Sequence, residues 1–246
     1  MHYLDHAATT PVPAAVAAVM TEVLTQSYGN PSAQYALGRQ ARDLVERSRG
    51  TIARALACRP EQVVFTSCGT EGDNWAIRAA LYQNRRVGKH IITTAAEHSA
   101  VLQCLKKLEQ EGYAVTYLKP DGMGRIAPRQ VEDALRADTA LVSVMLVNNE
   151  TGVRFPVEEI AALLKNRDTL LHTDAVQGFL KLPFTAQSLG ADYITLSAHK
   201  IGGPKGTGAL YTGGRTKNVQ PMFYGGGQEA GLRPGTEPTA QIAGFA

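Results

Sequence analysis

The sequence lacks the long apolar segments that mark membrane and secreted proteins. Its longest apolar run, from Ala140 to Val147 and interrupted by Ser143, is far shorter than the ~20 residues that a helix needs to cross a bilayer. The first six residues contain neither the basic region nor the apolar region of a secretory signal peptide. We therefore expect no membrane partner.

Cysteine and net charge are also low. The three cysteines, Cys58, Cys68 and Cys104, are odd in number and form no Cys-x-x-Cys or Cys/His cluster. This spacing predicts neither a disulfide framework nor a metal site, and it fits a reducing, cytoplasmic location. The net charge is only +3 and no basic run alternates with aromatic residues, so we do not expect a nucleic acid partner.

The chain does contain a regular alternation of strand and helix patterns. Its 246 residues are 44% hydrophobic and 19% charged, which is typical of a globular protein with a sizeable core. Apolar runs predict strands at 63–66, 90–93, 114–118, 141–147, 170–173, 193–196 and 209–211. Helical spacing predicts helices at 14–25, 37–57, 71–83, 99–110, 128–137 and 157–166. The alternation indicates an α/β fold, with helices on both faces of a mainly parallel sheet in three α/β/α layers.

Ligands of such sheets bind outside the carboxyl ends of the strands, so polar residues that follow strands are the candidates. Gly69 and Thr70 precede a helix and could bind an anion, or Thr70 could simply cap the helix. His98 could stack on a planar ring, or it could be a satisfied histidine at a helix start. The polar cluster 148–152 could donate hydrogen bonds to a ligand, or it could be a turn closed by Gly152.

Two charged residues complete this set. Asp174 follows a buried strand, where a carboxylate is costly unless it is paired. A pyridinium N–H is one such partner; in the alternative, Asp174 is the N-cap of the segment that begins at Ala175. Lys200 lies just beyond the strand 193–196, next to a glycine-rich turn. It could be a solvated surface charge or an amine that captures a carbonyl group, as in a Schiff base to pyridoxal phosphate.

With these residues in place, the chain resembles the class V aminotransferases, and within them the cysteine desulfurases. The resemblance covers nearly the whole chain and rests on an ordered series of motifs: Tyr3 to Pro11, Gly29 to Ser32, Phe65 to Ser67, Thr70-Glu71, Asp73-Asn74, Glu97-His98, Val147 to Gly152, His172 to Gln177, Ser197 to Lys200, Gly203 to Gly206 and Arg233 to Thr236. It implies an enzyme with the large domain of a fold type I pyridoxal phosphate protein.

The resemblance also implies roles for individual residues. Lys200 would hold pyridoxal 5'-phosphate as a Schiff base and move protons at the substrate carbon, and His98 would stack on the cofactor ring and help with proton transfer. Asp174 would pair with the ring nitrogen, Gln177 would contact the phenolic oxygen, and Asn149 would lie near that oxygen and the substrate carboxylate. The phosphate would be held by Gly69, Thr70, Ser197 and His199.

The implied reaction converts L-cysteine into L-alanine and passes sulfur to an enzyme cysteine, for iron–sulfur cluster assembly or another sulfur-transfer pathway. A homodimer is expected, in which Thr236 reaches the phosphate of the other subunit, and a sulfur-acceptor protein is a further possible partner. Three alternatives stay open: a selenocysteine lyase, a transaminase, or a fragment that binds the cofactor without catalysis.

The sequence departs from the family pattern in three ways. Cys68 stands where a glycine is usual, and we expect it to be a buried small apolar residue rather than a reactive thiol. Gly72 replaces a common serine. We also expect a truncated chain, with an arm and first helix in residues 1–30, the cofactor-binding large domain in 31–246, and no small domain carrying the substrate-binding arginine and the sulfur-accepting cysteine.

Overall fold

The computed structural model of the chain describes residues 2–246, which build a seven-stranded sheet in the order β1-β7-β6-β5-β4-β2-β3. The strands are β1 Val63–Thr66, β2 His90–Thr94, β3 Ala114–Leu118, β4 Thr139–Ser143, β5 Leu170–Asp174, β6 Tyr193–Ser197 and β7 Gly208–Thr212. β7 runs antiparallel to β1 and β6, and the other neighbouring strands are parallel. The predicted mainly parallel sheet is confirmed.

Helices cover both faces of this sheet. They are α1 Ala14–Thr25, α2 Ala36–Leu56, α3 Gly69–Gln83, α4 Ser99–Gln110, α5 Pro128–Ala134, α6 Val157–Leu164, α7 Ala186–Leu189 and α8 Thr239–Phe245. On one face α3 and α4 pack against the strands, and on the other face α2 and α5 to α8 do so. The three-layer α/β/α arrangement is therefore as expected. Every helix among residues 2–246 is too short or too polar to cross a lipid bilayer.

The sheet face under α3 changes from apolar to polar toward the carboxyl ends of the strands. On this face Leu141, Leu170 and Tyr193 belong to one apolar core. Two residues further along β5 and β6 the same face carries His172 and Thr195, because side chains alternate sides with a period of two. The same step on β4 leads to a serine, and the core therefore ends where the polar strand ends begin.

The observed elements differ from the sequence prediction mainly at β4 and β7. β4 ends at Ser143 rather than at residue 147, although Val144 N still donates to His172 O at 3.1 Å and Leu146 N to Asp174 O at 2.8 Å. β7 returns antiparallel because the connection from Ser197 to Gly208 holds only a turn of 3₁₀ helix. A parallel crossover needs about a dozen residues or more and usually a helix.

A buried ion pair anchors the turn at residues 229–231. The glycines of the surrounding segment, 225–236, predict a flexible loop. The Arg49 guanidinium donates to both Glu229 carboxylate oxygens at 2.7 and 2.8 Å. The same carboxylate accepts from Phe65 N at 2.8 Å, and Arg49 also donates to Val63 O at 2.8 Å. Both charges are therefore fully hydrogen-bonded, and they join this turn to α2 and β1.

We predict that Glu229→Ala lowers the free energy of unfolding by about 3–5 kcal/mol, because it leaves the Arg49 charge buried without its main partner. Urea denaturation followed by circular dichroism measures this loss. Glu111→Ala is the control, since it breaks the exposed Arg78–Glu111 pair and should cost about 1 kcal/mol or less. Equal losses in the two variants would show that the buried pair does not anchor the turn.

Candidate active site

A cavity of about 400 Å³ lies at the carboxyl ends of the central strands. It brings together every residue that the sequence singled out as a site candidate except Thr236. The cavity is lined by Asp5, Ala7, Ala8, Cys68, Gly69, Thr70, Asp73, His98, Met145, Val147, Asn149, Glu150, Asp174, Val176, Gln177, Ser197, His199 and Lys200. Thr236 lies outside it, exposed to solvent.

Asp174, the last residue of β5, supplies a buried carboxyl group to this cavity. Oδ1 of Asp174 accepts a hydrogen bond from Val176 N at 2.9 Å, so the carboxyl starts a short turn rather than a regular helix. Burial, and next the negative charge of Asp73, raise the pKa of Asp174 to about 7. A cationic N–H donor placed in the cavity would restore the charged form of this carboxyl.

The N-terminus of α3 forms an anion-binding end of the cavity. The residue that caps α3 is Cys68, not Thr70 as one of the two alternatives had it, and no side chain accepts a hydrogen bond from the first turn. The N–H groups of Gly69 and Thr70 are therefore left for a ligand, and the helix dipole favours an anion there. A Cβ atom at position 69 would lie 2.9 Å from Val176 Cγ2, so a glycine there lets the start of α3 pack closely against Val176.

His98 is the histidine at a helix start that one alternative predicted, and it also lines the cavity. Its Nδ1 atom accepts a hydrogen bond from Ala100 N at 3.2 Å and so caps α4. The ring also lines the cavity. Since Nδ1 is an acceptor, a neutral ring carries its proton on Nε2. The cap fixes the orientation of an imidazole that can contact a ligand.

The two neighbouring asparagines of the 148–152 turn have different roles. Asn148 builds the turn: its Oδ1 accepts from Glu150 N at 3.0 Å and Thr151 N at 2.8 Å, and its Nδ2 donates to Ala96 O at 2.8 Å. Asn149 instead lines the cavity, and its Nδ2 donates to Glu150 Oε1 at 2.6 Å. Asn149 is therefore the amide that can meet a ligand.

The N-terminal segment folds across the cavity and contacts Lys200. The Lys200 ammonium donates to Ala7 O at 2.5 Å and to Ala8 O at 2.8 Å. Gln177 Nε2 donates to the same Ala7 carbonyl at 2.8 Å. Thr10 fixes the segment further, since its N–H and its hydroxyl donate to His199 O at 2.9 and 2.8 Å.

The environment of Lys200 shifts the amine toward its neutral form. Burial lowers the pKa of Lys200, and the negative charges of Asp174, Asp5 and Glu150 only partly oppose this. A larger fraction of this lysine is therefore uncharged near neutral pH than of a solvated lysine, and the uncharged amine is the form that attacks a carbonyl group.

Several lining residues were not found from the sequence. Asp5, Ala7 and Ala8 belong to the N-terminal segment, and Asp73 lies inside α3. None of these residues follows a strand. Cys68 was expected to be buried, and this is wrong: it is only partly buried and lines the cavity, because it is the residue at which the chain turns into α3.

The comparisons with known proteins agree with this geometry. The aminotransferase class-V family model matches residues 2–246. The chain is 47% identical over 96% of its length to cysteine desulfurase 2 of Trichormus variabilis, and 45% identical over 99% to the putative cysteine desulfurase IscS 1 of Bacillus subtilis.

Solved structures agree as well. SspA in complex with cysteine superposes with a TM-score of 0.95 at 39% identity, covering 100% of this chain and 71% of that one. A NifS-like protein superposes with a TM-score of 0.95 at 39% identity, covering 99% of this chain and 67% of the other. The chain covers 58% and 64% of the two curated relatives. On the family match and on these identities, the chain belongs to the class-V aminotransferase family.

Proposed function

We propose that the cavity binds pyridoxal 5'-phosphate, the cofactor of this family, and that the protein acts as a cysteine desulfurase. The observation that carries the proposal is the placement of Lys200, Asp174 and His98 around one cavity with the uncapped end of α3. The chemistry of these groups fits the cofactor, which needs an amine for its aldehyde, an acid for its ring nitrogen and donors for its phosphate.

Each group has a proposed role. Lys200 supplies the amine and moves the proton at the substrate carbon, for which its lowered pKa suits it. The carboxylate of Asp174 accepts the ring N–H, and His98 stacks on the ring. Gln177 and Asn149 contact the phenolic oxygen, and Asn149 also lies near the substrate carboxylate. The donors to the phosphate are Gly69 and Thr70 at the start of α3, and Ser197 and His199 at the end of β6.

When bound, the cofactor supplies an electron sink at the substrate carbon. The proposed reaction turns L-cysteine into L-alanine and leaves the sulfur on an enzyme cysteine. The cysteine desulfurase names of the relatives and the structural relative in complex with cysteine support L-cysteine as the substrate. Among residues 2–246, Cys68 is the cysteine that lines the cavity, but we do not propose it as the sulfur acceptor, which the resemblance places in the small domain.

Further proposals concern the assembly. A cytoplasmic homodimer is proposed, in which the exposed Thr236 contacts the phosphate in the other subunit's cavity. A sulfur-acceptor protein, for iron–sulfur cluster assembly or another sulfur-transfer pathway, is the proposed second partner. In this proposal residues 31–246 form the cofactor-binding domain and residues 1–30 form an arm and first helix. The arm reaches the cofactor-binding domain, since the carbonyl groups of Ala7 and Ala8 accept hydrogen bonds from Lys200.

We predict that the purified chain gains a visible absorbance band when pyridoxal phosphate is added, and that Lys200→Ala abolishes it, since this variant removes the amine that bonds to the aldehyde. Lys205→Ala is the matched control: it removes an exposed lysine five residues away that does not line the cavity, and it should keep the band. A band of equal strength in the Lys200 variant would refute the assignment.

Asp174→Asn should weaken cofactor binding by about 30- to 150-fold, because a hydrogen bond to a charged group contributes about 2–3 kcal/mol. Equilibrium titration of absorbance against cofactor concentration measures the dissociation constant. Asp192→Asn is the comparison, since Asp192 is a buried carboxylate directly before β6 that pairs with Arg215 outside the cavity. If both variants bind the cofactor equally well, Asp174 does not contact the ring nitrogen.

Alanine formation from L-cysteine in the presence of a reductant tests the reaction itself. We expect the chain with bound cofactor to form alanine above the level of Lys200→Ala, because the reductant can take up the sulfur. Parallel assays with L-selenocysteine and with a keto-acid acceptor separate the lyase and transaminase alternatives. Cofactor binding without any product would favour the non-catalytic alternative.

A further inference from the structure

We infer that Asp73 is a positioning residue for the charge on Asp174: the two carboxyl groups share one proton, and a bound cofactor ring moves that proton onto Asp73. This inference rests on the proposed cofactor site. It concerns a residue of α3 that follows no strand and that the roles proposed above leave unused.

Three carboxyl groups are buried together beneath the cavity. Asp73, Glu97 and Asp174 are only 1%, 5% and 6% exposed. Among the contacts between acidic and basic side chains of residues 2–246, the one that involves any of the three is Asp73 Oδ1 with the neutral His172 Nε2, at 3.5 Å. No lysine or arginine within the same residues pairs with them, so several unneutralised charges would be very costly here.

Glu97 has a structural explanation. Its Oε1 accepts from Thr94 Oγ1 at 2.8 Å and from Met145 N at 3.0 Å, which ties the turn after β2 to the chain after β4. Burial raises the pKa of Glu97 to about 8, so it is mostly protonated at neutral pH. Glu97 does not line the cavity.

Asp73 is held less completely, by one hydrogen bond that its carboxyl accepts from the Thr195 side chain. It lines the cavity, and its Oδ1 has no hydrogen-bond partner. It lies over a strip of β5 and β6 in which His172, Asp174 and Thr195 face the same side of the sheet, since His172 and Asp174 are two residues apart and Thr195 is in register with Asp174. Asp73 and Asp174 thus flank the same histidine.

His172 links the polar strip but carries no charge. Its Nδ1 lies 2.9 Å from Ser143 Oγ and its Nε2 lies 3.0 Å from Thr195 Oγ1. Burial lowers the pKa of His172 to about 4. A neutral imidazole cannot balance a carboxylate charge. The basic groups that act on Asp174 are Lys200 and His98, which line the same cavity without forming an ion pair with it.

Gly72 makes room for this arrangement. A Cβ atom at position 72 would lie 2.7 Å from Thr195 Cγ2 and 3.2 Å from Thr195 Oγ1. The glycine that replaces the serine common in the family therefore lets Thr195 pack directly under α3. This contact brings the start of α3, and Asp73 with it, close to the hydroxyl that bonds His172.

The charges around Asp73 leave one proton to share. Burial raises the pKa of Asp73 to about 7, and burial followed by the charge of Asp73 raises the pKa of Asp174 to about 7. The other titratable groups facing Asp73 are His172 on β5, Glu97 after β2 and Cys104 on α4, all uncharged at neutral pH by the shifts given. Glu71, on α3 itself, is paired with Arg233. Two carboxyls in one desolvated site do not both ionise readily.

A cationic ring N–H next to Asp174 would determine which of the two carboxyl groups holds the shared proton. It stabilises the negative charge on Asp174 and leaves the proton on Asp73. The pair then carries one charge, which balances the ring. If Asp73 were ionised as well, an uncompensated charge would lie in a buried site.

The test is a ¹³C NMR titration of the full 246-residue chain labelled at the aspartate carboxyl carbons, with each resonance assigned by its loss in Asp174→Asn or Asp73→Asn. Removing the Asp73 charge should make Asp174 easier to ionise, so Asp73→Asn should lower the pH midpoint of Asp174 by about half a pH unit or more. Glu97→Gln is the matched control and should leave that midpoint nearly unchanged, because the pKa of Glu97 is about 8 and this group stays mostly protonated while Asp174, with a pKa of about 7, titrates.

Pyridoxal phosphate is then added to the wild-type chain at pH 7. The Asp174 resonance should move to its carboxylate position and the Asp73 resonance to its acid position. An unchanged Asp174 midpoint in Asp73→Asn, or a charged Asp73 with the cofactor bound, overturns the inference. If Asp73→Asn does not fold by circular dichroism, Asp73→Ser removes the same charge in a smaller residue. A wild-type chain that shows no cofactor band contradicts the proposed function instead, while the titration without cofactor still tests the coupling.

Discussion

The cost of burying Asp174 is the constraint on which the site depends. A carboxylate removed from water loses solvation worth several kcal/mol unless a cation or hydrogen-bond donors replace it. The protein supplies one backbone donor, from Val176, and no arginine or lysine ion pair within residues 2–246. Lys200 lines the same cavity and its charge acts on Asp174 without forming an ion pair, so a cationic donor placed next to the carboxyl would stabilise its charged form further. This is a physical reason for a pyridinium ring at this position, independent of any likeness to other proteins.

Lys200 and Asp174 have opposite requirements that the same cavity meets. Burial lowers the pKa of the amine and raises the pKa of the acid. Each group alone would be driven toward its neutral form, and each charge partly stabilises the other. A ligand that bonds covalently to the amine would take the place of the Lys200 ammonium, and a protonated ring nitrogen of that ligand would bring a cation next to Asp174.

The sequence was sufficient to locate most of the site because the rule that it uses is geometric. Parallel strands end on one edge, so Gly69, Asn149, Asp174 and Lys200 could be placed together without knowing the strand order. The N-terminal segment could not be placed this way, since its contact through Ala7 joins positions almost 200 residues apart and follows no local pattern. Asp73 was missed for a different reason. It lies within a predicted helix rather than after a strand, and a carboxyl group inside a helix is usually expected to be exposed.

The fold was predictable to the same extent and for the same reason. Apolar runs indicated all seven strands, but they do not encode direction, so the antiparallel β7 follows only from the short connection after β6. The end of β4 was placed too late because Val144 to Val147 are as apolar as the strand. These residues leave the β4–β2 pairing and reach toward Glu97 and the cavity, so their hydrophobicity reflects burial in the site rather than membership of a strand.

The alternation of the strands explains why the polar strip can exist inside a core at all. On β5, Leu170, His172 and Asp174 share one face, and Leu171 packs into the apolar core on the other. A shift of one residue in the register of β5 would turn Leu171 toward α3 and bury Asp174 among the apolar residues of the opposite layer. The core and the site therefore specify the same register. Since the charge of Asp174 is tolerable only beneath the cavity, the acid that destabilises the fold also disfavours the wrong pairing.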